Sequence, residues 1–293
     1  MRIGTRGSAL ALAQAGSVAR LLAPADVEVV TVTTSGDRAQ YLNDKSRWVS
    51  ELERALLEGR IDVAVHSAKD VPTDPVDGLE LVAIPGRADP RDVICGASGL
   101  DALKPGARVG TSSLRRAAQI RAARADLEVV QLRGNVDTRL RKLDEGQADA
   151  IVLALAGLQR LGRESEAGGV LGELVPAAGQ GALAIQARPG ALAPATRARL
   201  NDEASAACVR AERTLVHALG ASCNTPVGAY AQLVADGRLD LRAWVGLPDG
   251  SAWLADRVQA SPSEAGDLCA ERMLAAGAAQ LLSEAEATPE PAA

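Results

Sequence analysis

Phenylalanine is absent from this 293-residue sequence, and all aromatic residues together make up only 2% of it. So few rings leave no stacking platform on which a single-stranded nucleic acid could be held. Positive charge is not in surplus either. The chain has 32 Lys and Arg against 37 Asp and Glu, a formal net charge of −5, which gives a nucleic-acid partner no electrostatic support. Cysteine is sparse: Cys95, Cys208, Cys223 and Cys269 stand far apart with no CxxC pair, which argues against a disulfide framework. Only His66 and His217 are available as imidazoles, too few for a Cys/His metal site or a convincing Ser/His/Asp set, and no metal is expected. No apolar run reaches the length of a membrane span, and Met1-Arg2-Ile3 enters a strand without a signal-peptide pattern, so a cytoplasmic protein is expected. No Walker A motif occurs, and Gly179-Gln180-Gly181 is not a dinucleotide fingerprint.

What is present is 47% hydrophobic residues, enough to build two or three small cores, and an internal duplication. Arg2-Ile3-Gly4-Thr5 reads as a short strand opening into Ser8, which can cap a helix running to about Leu22. Val27 to Val32 is the next strand, a helix runs from about Trp48 to Glu58, and Ile61 to Val65 is a buried strand. The pattern then recurs. Arg108-Val109-Gly110-Thr111-Ser112-Ser113 echoes the opening and starts a helix at Leu114; Leu127 to Leu132 echoes Val27 to Val32; Leu143 to Val152 echoes Leu57 to Val65. Each β-α-β-α-β unit is expected to form a parallel sheet with right-handed crossovers. Two such lobes facing each other would line a cleft with strand ends and helix N-termini, a place for anions. Gly179 to Gln186 is a further strand expected to return to the first lobe. From Asp202 the texture changes: a helix over Ala204 to Leu219, then a meander with Asp-Gly turns, then a helix from Ser263 to Leu282. The expected architecture is α/β, with a first lobe over 1–86 and 182–199 and a second over 89–176. A smaller α+β C-terminal domain with a three-stranded antiparallel sheet covers 203–285, and 286–293 is expected as a disordered tail.

The chemistry-bearing residues gather where strands end. Lys69 and Asp70 follow the strand over Ile61 to Val65; Arg6 follows the first strand; Arg115 and Arg116 stand in the first turn after Ser113; Arg133, Arg139 and Arg160 follow later strands. Cations at a helix N-terminus oppose the helix dipole, so Arg115 and Arg116 call for an anion. An isolated arginine of this kind is ordinarily a solvated surface residue. The repetition at equivalent strand ends favours a ligand carrying several carboxylates or phosphates, with each charged hydrogen bond contributing roughly 1.5–3 kcal/mol. His66 reads as a hydrogen-bonded support for its loop, His217 as structural, and Cys95 and Cys208 as core. Asp70 is left as the acid/base candidate. Cys223, in a loop of small residues, is left as the nucleophile candidate.

Four motifs together resemble the porphobilinogen deaminase (hydroxymethylbilane synthase) family: His66-Ser67-Ala68-Lys69-Asp70-Val71-Pro72, Gly110-Thr111-Ser112-Ser113-Leu114-Arg115-Arg116, Leu132-Arg133-Gly134-Asn135-Val136-Asp137-Thr138-Arg139 and Gly179-Gln180-Gly181-Ala182. The resemblance runs from Arg2 to about Gly228. It implies lobes like those of periplasmic binding proteins and a transferase of tetrapyrrole biosynthesis that joins four porphobilinogen molecules head to tail with release of ammonia. It further implies a dipyrromethane cofactor attached to Cys223 by a thioether. By the same resemblance Asp70 is the catalytic carboxylate, and Arg6, Ser8, Lys69, Thr111, Ser112, Ser113, Arg115, Arg116, Arg133, Arg139 and Arg160 bind the acetate and propionate groups of cofactor and substrate. The family suggests a monomer. The segment Gly36 to Trp48 departs from the family pattern, being shorter and glycine-poor, with Lys45 and Trp48 as candidate lid residues. Competing readings are a carboxylate-binding module without chemistry, since hinged lobes with a basic cleft suit capture alone, and an inactive paralogue.

Overall fold

The two echoing stretches of sequence become the same piece of structure twice. The computed structural model describes residues 1–23, 26–32, 46–74, 76–221 and 225–287, without the side chains of 46–48. The chain divides into two compact units, Met1–Ala88 with Gly181–Val209 and Asp89–Gln180 with Arg210–Ala293.

The first unit opens with β1 (Arg2–Thr5), α1 (Ala9–Leu22), β2 (Glu28–Thr31), α2 (Ser46–Leu57), β3 (Val63–Ser67) and β4 (Glu80–Ala83). Ser8 caps α1, its hydroxyl accepting from Ala11 N at 3.3 Å. Strand β1 lies between β2 and β3, parallel to both. The second unit runs β5 (Asp92–Cys95), β6 (Arg108–Thr111), α3 (Leu114–Ala123), β7 (Glu128–Gln131), α4 (Val136–Asp144), β8 (Ala150–Ala154), α5 (Leu155–Arg160) and β9 (Gly169–Leu171). The chain then returns to the first unit as β10 (Leu183–Ala187) and α6 (Pro194–Leu200), and α7 (Glu203–Ala218) follows, with its residues from Arg210 onward assigned to the second unit.

Strand order is β2-β1-β3-β10-β4 in one sheet and β7-β6-β8-β5-β9 in the other. The wholly parallel sheets expected from the repeat do not form: β10 runs antiparallel to β3 and β4, and β5 antiparallel to β8 and β9. The antiparallel strand of each sheet is the first one laid down after the chain enters that unit, so it cannot be read from the local β-α-β repeat. Registers match across the duplication. Ile3 and Gly4 pair with Val63 and Ala64, as Val109 and Gly110 pair with Ala150 and Ile151. The two strand glycines share a steric reason. A Cβ on Gly4 would collide with Ile61, and one on Gly110 would lie 3.0 Å from Leu132 Cδ1 and 3.1 Å from Ile151 Cγ2. Each sheet buries apolar residues against its helices. Ile3, Val63, Val65 and Ile185 pack with Val18 and Leu22 of α1, while Val109, Ala150 and Val152 pack with Ile120 of α3. Each of these Val, Leu and Ile side chains, fully buried, contributes about 1.5–3 kcal/mol.

The C-terminal part contains β11 (Val227–Leu233), β12 (Leu239–Gly246) and β13 (Trp253–Ala260), antiparallel in sequence order, as the Asp-Gly turns indicated. The long final helix expected from Ser263 is instead two, α8 (Ala265–Ala275) and α9 (Ala278–Ala287), separated at Gly277 with φ 102°. Helix α9 extends two residues into the stretch expected as a tail; 288–293 lie outside the described residues. The hairpin turn after β12 rests on α3: Arg121 Nη1 donates to Pro248 O at 2.7 Å, and a Cβ on Gly250 would meet Ala122 N at 2.6 Å. Among the described residues no helix is long and apolar enough to cross a membrane.

Candidate active site

In the first unit, β3 runs two residues further than expected, so His66 and Ser67 belong to the strand. Lys69 and Asp70 lie in the short 3-10 turn Ala68–Asp70 that follows it. A cavity at this sheet end is lined by Arg6 and Ser8 from the β1–α1 junction, Gln14 from α1, and His66, Ser67 and Asp70. Leu10, Ala11, Val49, Leu52 and Val65 supply its apolar lining. Gln14, a residue the sequence reading did not single out, is buried and donates from Nε2 to Ser67 Oγ at 2.8 Å. His66 is the buried support expected of it. Its Nε2 lies 3.0 Å from Gln186 Oε1, and Gln186 in turn donates to Glu53 Oε1 at 3.1 Å. Burial pushes the His66 imidazole down to about 4, against the opposing effects of the Gln186 hydrogen bond and the Asp70 charge. His66 is therefore neutral near pH 7.

In the second unit, Thr111 Oγ1 accepts from Ser113 N at 3.1 Å, and Ser113 Oγ caps α3 by accepting from Arg116 N at 3.4 Å. Arg139, on the first turns of α4 beyond its Asn135 cap, reaches back to the α3 end. Its Nη2 donates to Ser112 Oγ at 2.8 Å and its Nε to Gly134 O at 2.7 Å. Burial and then the charge of Arg116 lower the Arg139 pKa to about 10. Burial lowers that of Arg160, the last residue of α5, to about 10 as well. Arg133 is tied beside this loop, its Nε donating to Gln131 Oε1 at 3.0 Å.

Arg115 and Arg116 are both 5% exposed, and the anion they called for is partly supplied from within the chain. Asp92, fully buried at the start of β5, accepts from Arg116 Nε at 3.0 Å and Nη2 at 2.7 Å, and its Oδ2 lies 2.8 Å from Arg115 Nη2. Gln180 Nε2 donates to the same Oδ1 at 2.8 Å and to Pro90 O at 2.7 Å. Burial opposes ionisation of Asp92, but the two guanidinium charges and the hydrogen bonds from Arg116 and Gln180 outweigh it and hold the carboxyl well below its usual range. Asp92 is thus a carboxylate set among cations. Sequence reasoning passed over Asp92, and it met Gln180 only inside the Gly179-Gln180-Gly181-Ala182 motif, without a role. The one available signal was an Asp immediately before the apolar run Val93-Ile94-Cys95.

The compensation is incomplete: one carboxylate faces two buried guanidinium groups, with Arg139 near enough to be affected by Arg116. Arg115 Nε is buried and finds no hydrogen-bond partner among the described residues. An orphaned charged donor in a buried, cation-rich place fits a carboxylate-bearing ligand. The polycarboxylate dipyrromethane group meets that requirement. Cys223 and Lys45 lie outside the described residues; Trp48 belongs to α2, but its side chain is not described. Cys95, Cys208 and Cys269 are buried thiols, and burial pushes Cys95 up to about 11 and Cys269 up to about 12.

Comparison with known proteins agrees with this chemistry. The family profile described as "Porphobilinogen deaminase, dipyromethane cofactor binding domain" matches residues 1–193, and "Porphobilinogen deaminase, C-terminal domain" matches residues 206–275. The chain is 47% identical to a porphobilinogen deaminase of Thiobacillus denitrificans, covering 96% of this chain and 97% of that one. It is 46% identical to that of Thermus thermophilus, covering 91% of each. Among solved structures it is similar to immunogenic lipoprotein A from Vibrio vulnificus at a TM-score of 0.44 and 14% identity, covering 68% of this chain and 93% of that one. With both family profiles and near full-length relatives in agreement, the chain belongs to the porphobilinogen deaminase family.

Proposed function

We propose that this chain is the transferase that joins four porphobilinogen molecules head to tail into hydroxymethylbilane, releasing ammonia, on a dipyrromethane primer held through Cys223. The observation that carries the reading is the buried cation surplus around Ser112, Ser113, Arg115, Arg116 and Arg139, with an Arg115 Nε that has no partner among the described residues. When bound, the primer supplies the pyrrole carbon onto which each new ring is joined.

The chain's own residues divide the remaining work. Arg115, Arg116, Arg133, Arg139 and Arg160, with Thr111, Ser112 and Ser113 at the capped start of α3, take the acetate and propionate groups. Arg6, Ser8 and Lys69 do the same in the first unit. Asp70 accepts hydrogen bonds from pyrrole N–H groups and stabilises the positive charge that develops on the substrate ring as ammonia departs. It also takes up the proton lost when the new bond is complete. The neutral His66 beside it adds no competing positive charge. The apolar lining of Leu10, Val49 and Leu52 suits the face of a ring. Lys45 and Trp48 are assigned to covering the bound rings. The reading keeps the three-domain division, with lobes over 1–86 plus 182–199 and over 89–176, and a C-terminal domain over 203–285 that carries Cys223. It also takes the protein to act as a cytoplasmic monomer.

The test is turnover. Purified protein given porphobilinogen should release one ammonia for each molecule consumed and accumulate a linear tetrapyrrole. Reversible binding of porphobilinogen with no ammonia released would leave the carboxylate-binding module as the better reading.

A further inference from the structure

The duplication supplies an internal control for the buried charge cluster of the second unit. By strand register Asp92 pairs with Ala154 as Leu183 pairs with Ser67, so Leu183 is the first unit's counterpart of Asp92. Counted from the serine caps of α1 and α3, Arg115 and Arg116 correspond to Leu10 and Ala11. The first unit therefore builds the same strand order and the same capped helix with apolar residues in all three places, Leu183 lying in its hydrophobic core. The topology does not require the charges. Buried ion pairs are in general no more stabilising than well-packed apolar replacements, and here the apolar alternative exists within one molecule.

We propose that Asp92 is a positioning residue for the carboxylate-binding arginines: it fixes the guanidinium groups of Arg115 and Arg116 at the start of α3. The proposal rests on the functional reading above. Donor accounting supports it. Of the five N–H groups of Arg116, Nε and one on Nη2 go to Asp92 and one on Nη1 goes to Val152 O at 3.0 Å. The remaining two meet no acceptor among the described residues although the residue is buried. Arg115 donates from Nη1 to Val175 O at 2.7 Å and forms an ion pair from Nη2 with Asp92 Oδ2 at 2.8 Å, while its Nε finds no hydrogen-bond partner among the described residues. Gln180 fixes the carboxylate itself through Oδ1 while also holding Pro90 O. A carboxylate so held orients two cations and neutralises only one, so the ligand's acid groups meet donors already aimed.

The experiment compares wild type, Asp92→Asn, Asp92→Glu and Gln180→Leu, each purified as expressed. The fraction carrying the covalent pyrrole adduct is read by intact mass, and kcat and KM for porphobilinogen are measured separately. For Asp92→Asn the adduct-bearing fraction should fall severalfold and KM should rise roughly tenfold or more. Asp92→Glu should recover part of both losses. Gln180→Leu, which removes one hydrogen bond from Asp92 and no charge, should raise KM by a few-fold. An Asp92→Asn protein that loads fully with unchanged KM, and differs only in melting temperature, would overturn the proposal. If Asp92→Asn is insoluble, a soluble Gln180→Leu with unchanged KM and full loading would overturn it equally. A wild type without adduct would instead overturn the functional reading, whereas a loaded wild type beside an Asp92→Asn protein that is equally loaded and has unchanged KM would overturn only the positioning role.

Discussion

His66 Nε2 lies 3.0 Å from Gln186 Oε1, a buried bond between adjacent antiparallel strands at the sheet end where Asp70 stands. Its imidazole is depressed from 6.5 to about 4 by burial. The native state therefore resists the proton that the unfolded chain takes up below pH 6.5. Stability from this residue is complete above pH 6.5 and is lost as pH falls towards 4, by about 3 kcal/mol in all. Urea denaturation of wild type and His66→Gln at pH 7 and pH 4.5 checks this. The wild type should lose more stability over that interval than the variant, and equal losses would contradict the assignment.

Arg139 grips both Ser112 Oγ and Gly134 O while facing the charge of Arg116. Arg139→Ala should reduce kcat/KM for porphobilinogen by roughly 10- to 150-fold, the loss of one charged contact of about 1.5–3 kcal/mol. Steady-state kinetics at fixed ionic strength gives the number. Unchanged kinetics would remove Arg139 from carboxylate binding.

Glu212, fully buried on α7, accepts from Gly179 N and Ala231 N, each at 2.7 Å, and so ties the Gly179-Gln180 segment to β11. Glu212→Ala leaves two buried N–H donors without that acceptor and should cost about 2–5 kcal/mol of unfolding free energy. Denaturant unfolding at neutral pH measures it. Glu212→Gln, which keeps an acceptor oxygen, should lose less.

Much of this molecule is legible in its sequence for a physical reason: the features that could be read are local. The caps Ser8 and Ser113, the alternation of short β-branched strands with helices, and the Asp-Gly turns are each set within a few residues. Asp92 could not be read in the same way. Its meaning depends on β5 lying antiparallel to β8 and on Arg115 and Arg116 arriving from a helix more than twenty residues later. Gln14 and Gln180 are similar, neutral side chains whose partners Ser67 and Asp92 are distant in the chain. The break at Gly277 was local and still missed, because an apolar, Ala-rich pattern continues on both sides of it.

Asp70→Asn removes the negative charge at the end of β3 while keeping the size of the side chain. It should lower kcat by at least about 100-fold, the usual scale for losing a positioned acid–base group, and leave the fold intact by circular dichroism. Retention of most activity would take Asp70 out of the catalytic role.

The most direct measurement is the intact mass of the purified protein. Addition of the Cys223 thiol and then of a second ring, each with loss of one ammonia, requires a mass above that of the polypeptide by two porphobilinogen molecules less two ammonia. That increment should be present in the wild type and missing from Cys223→Ala. A wild-type protein at the bare polypeptide mass that also leaves porphobilinogen unchanged would contradict the account.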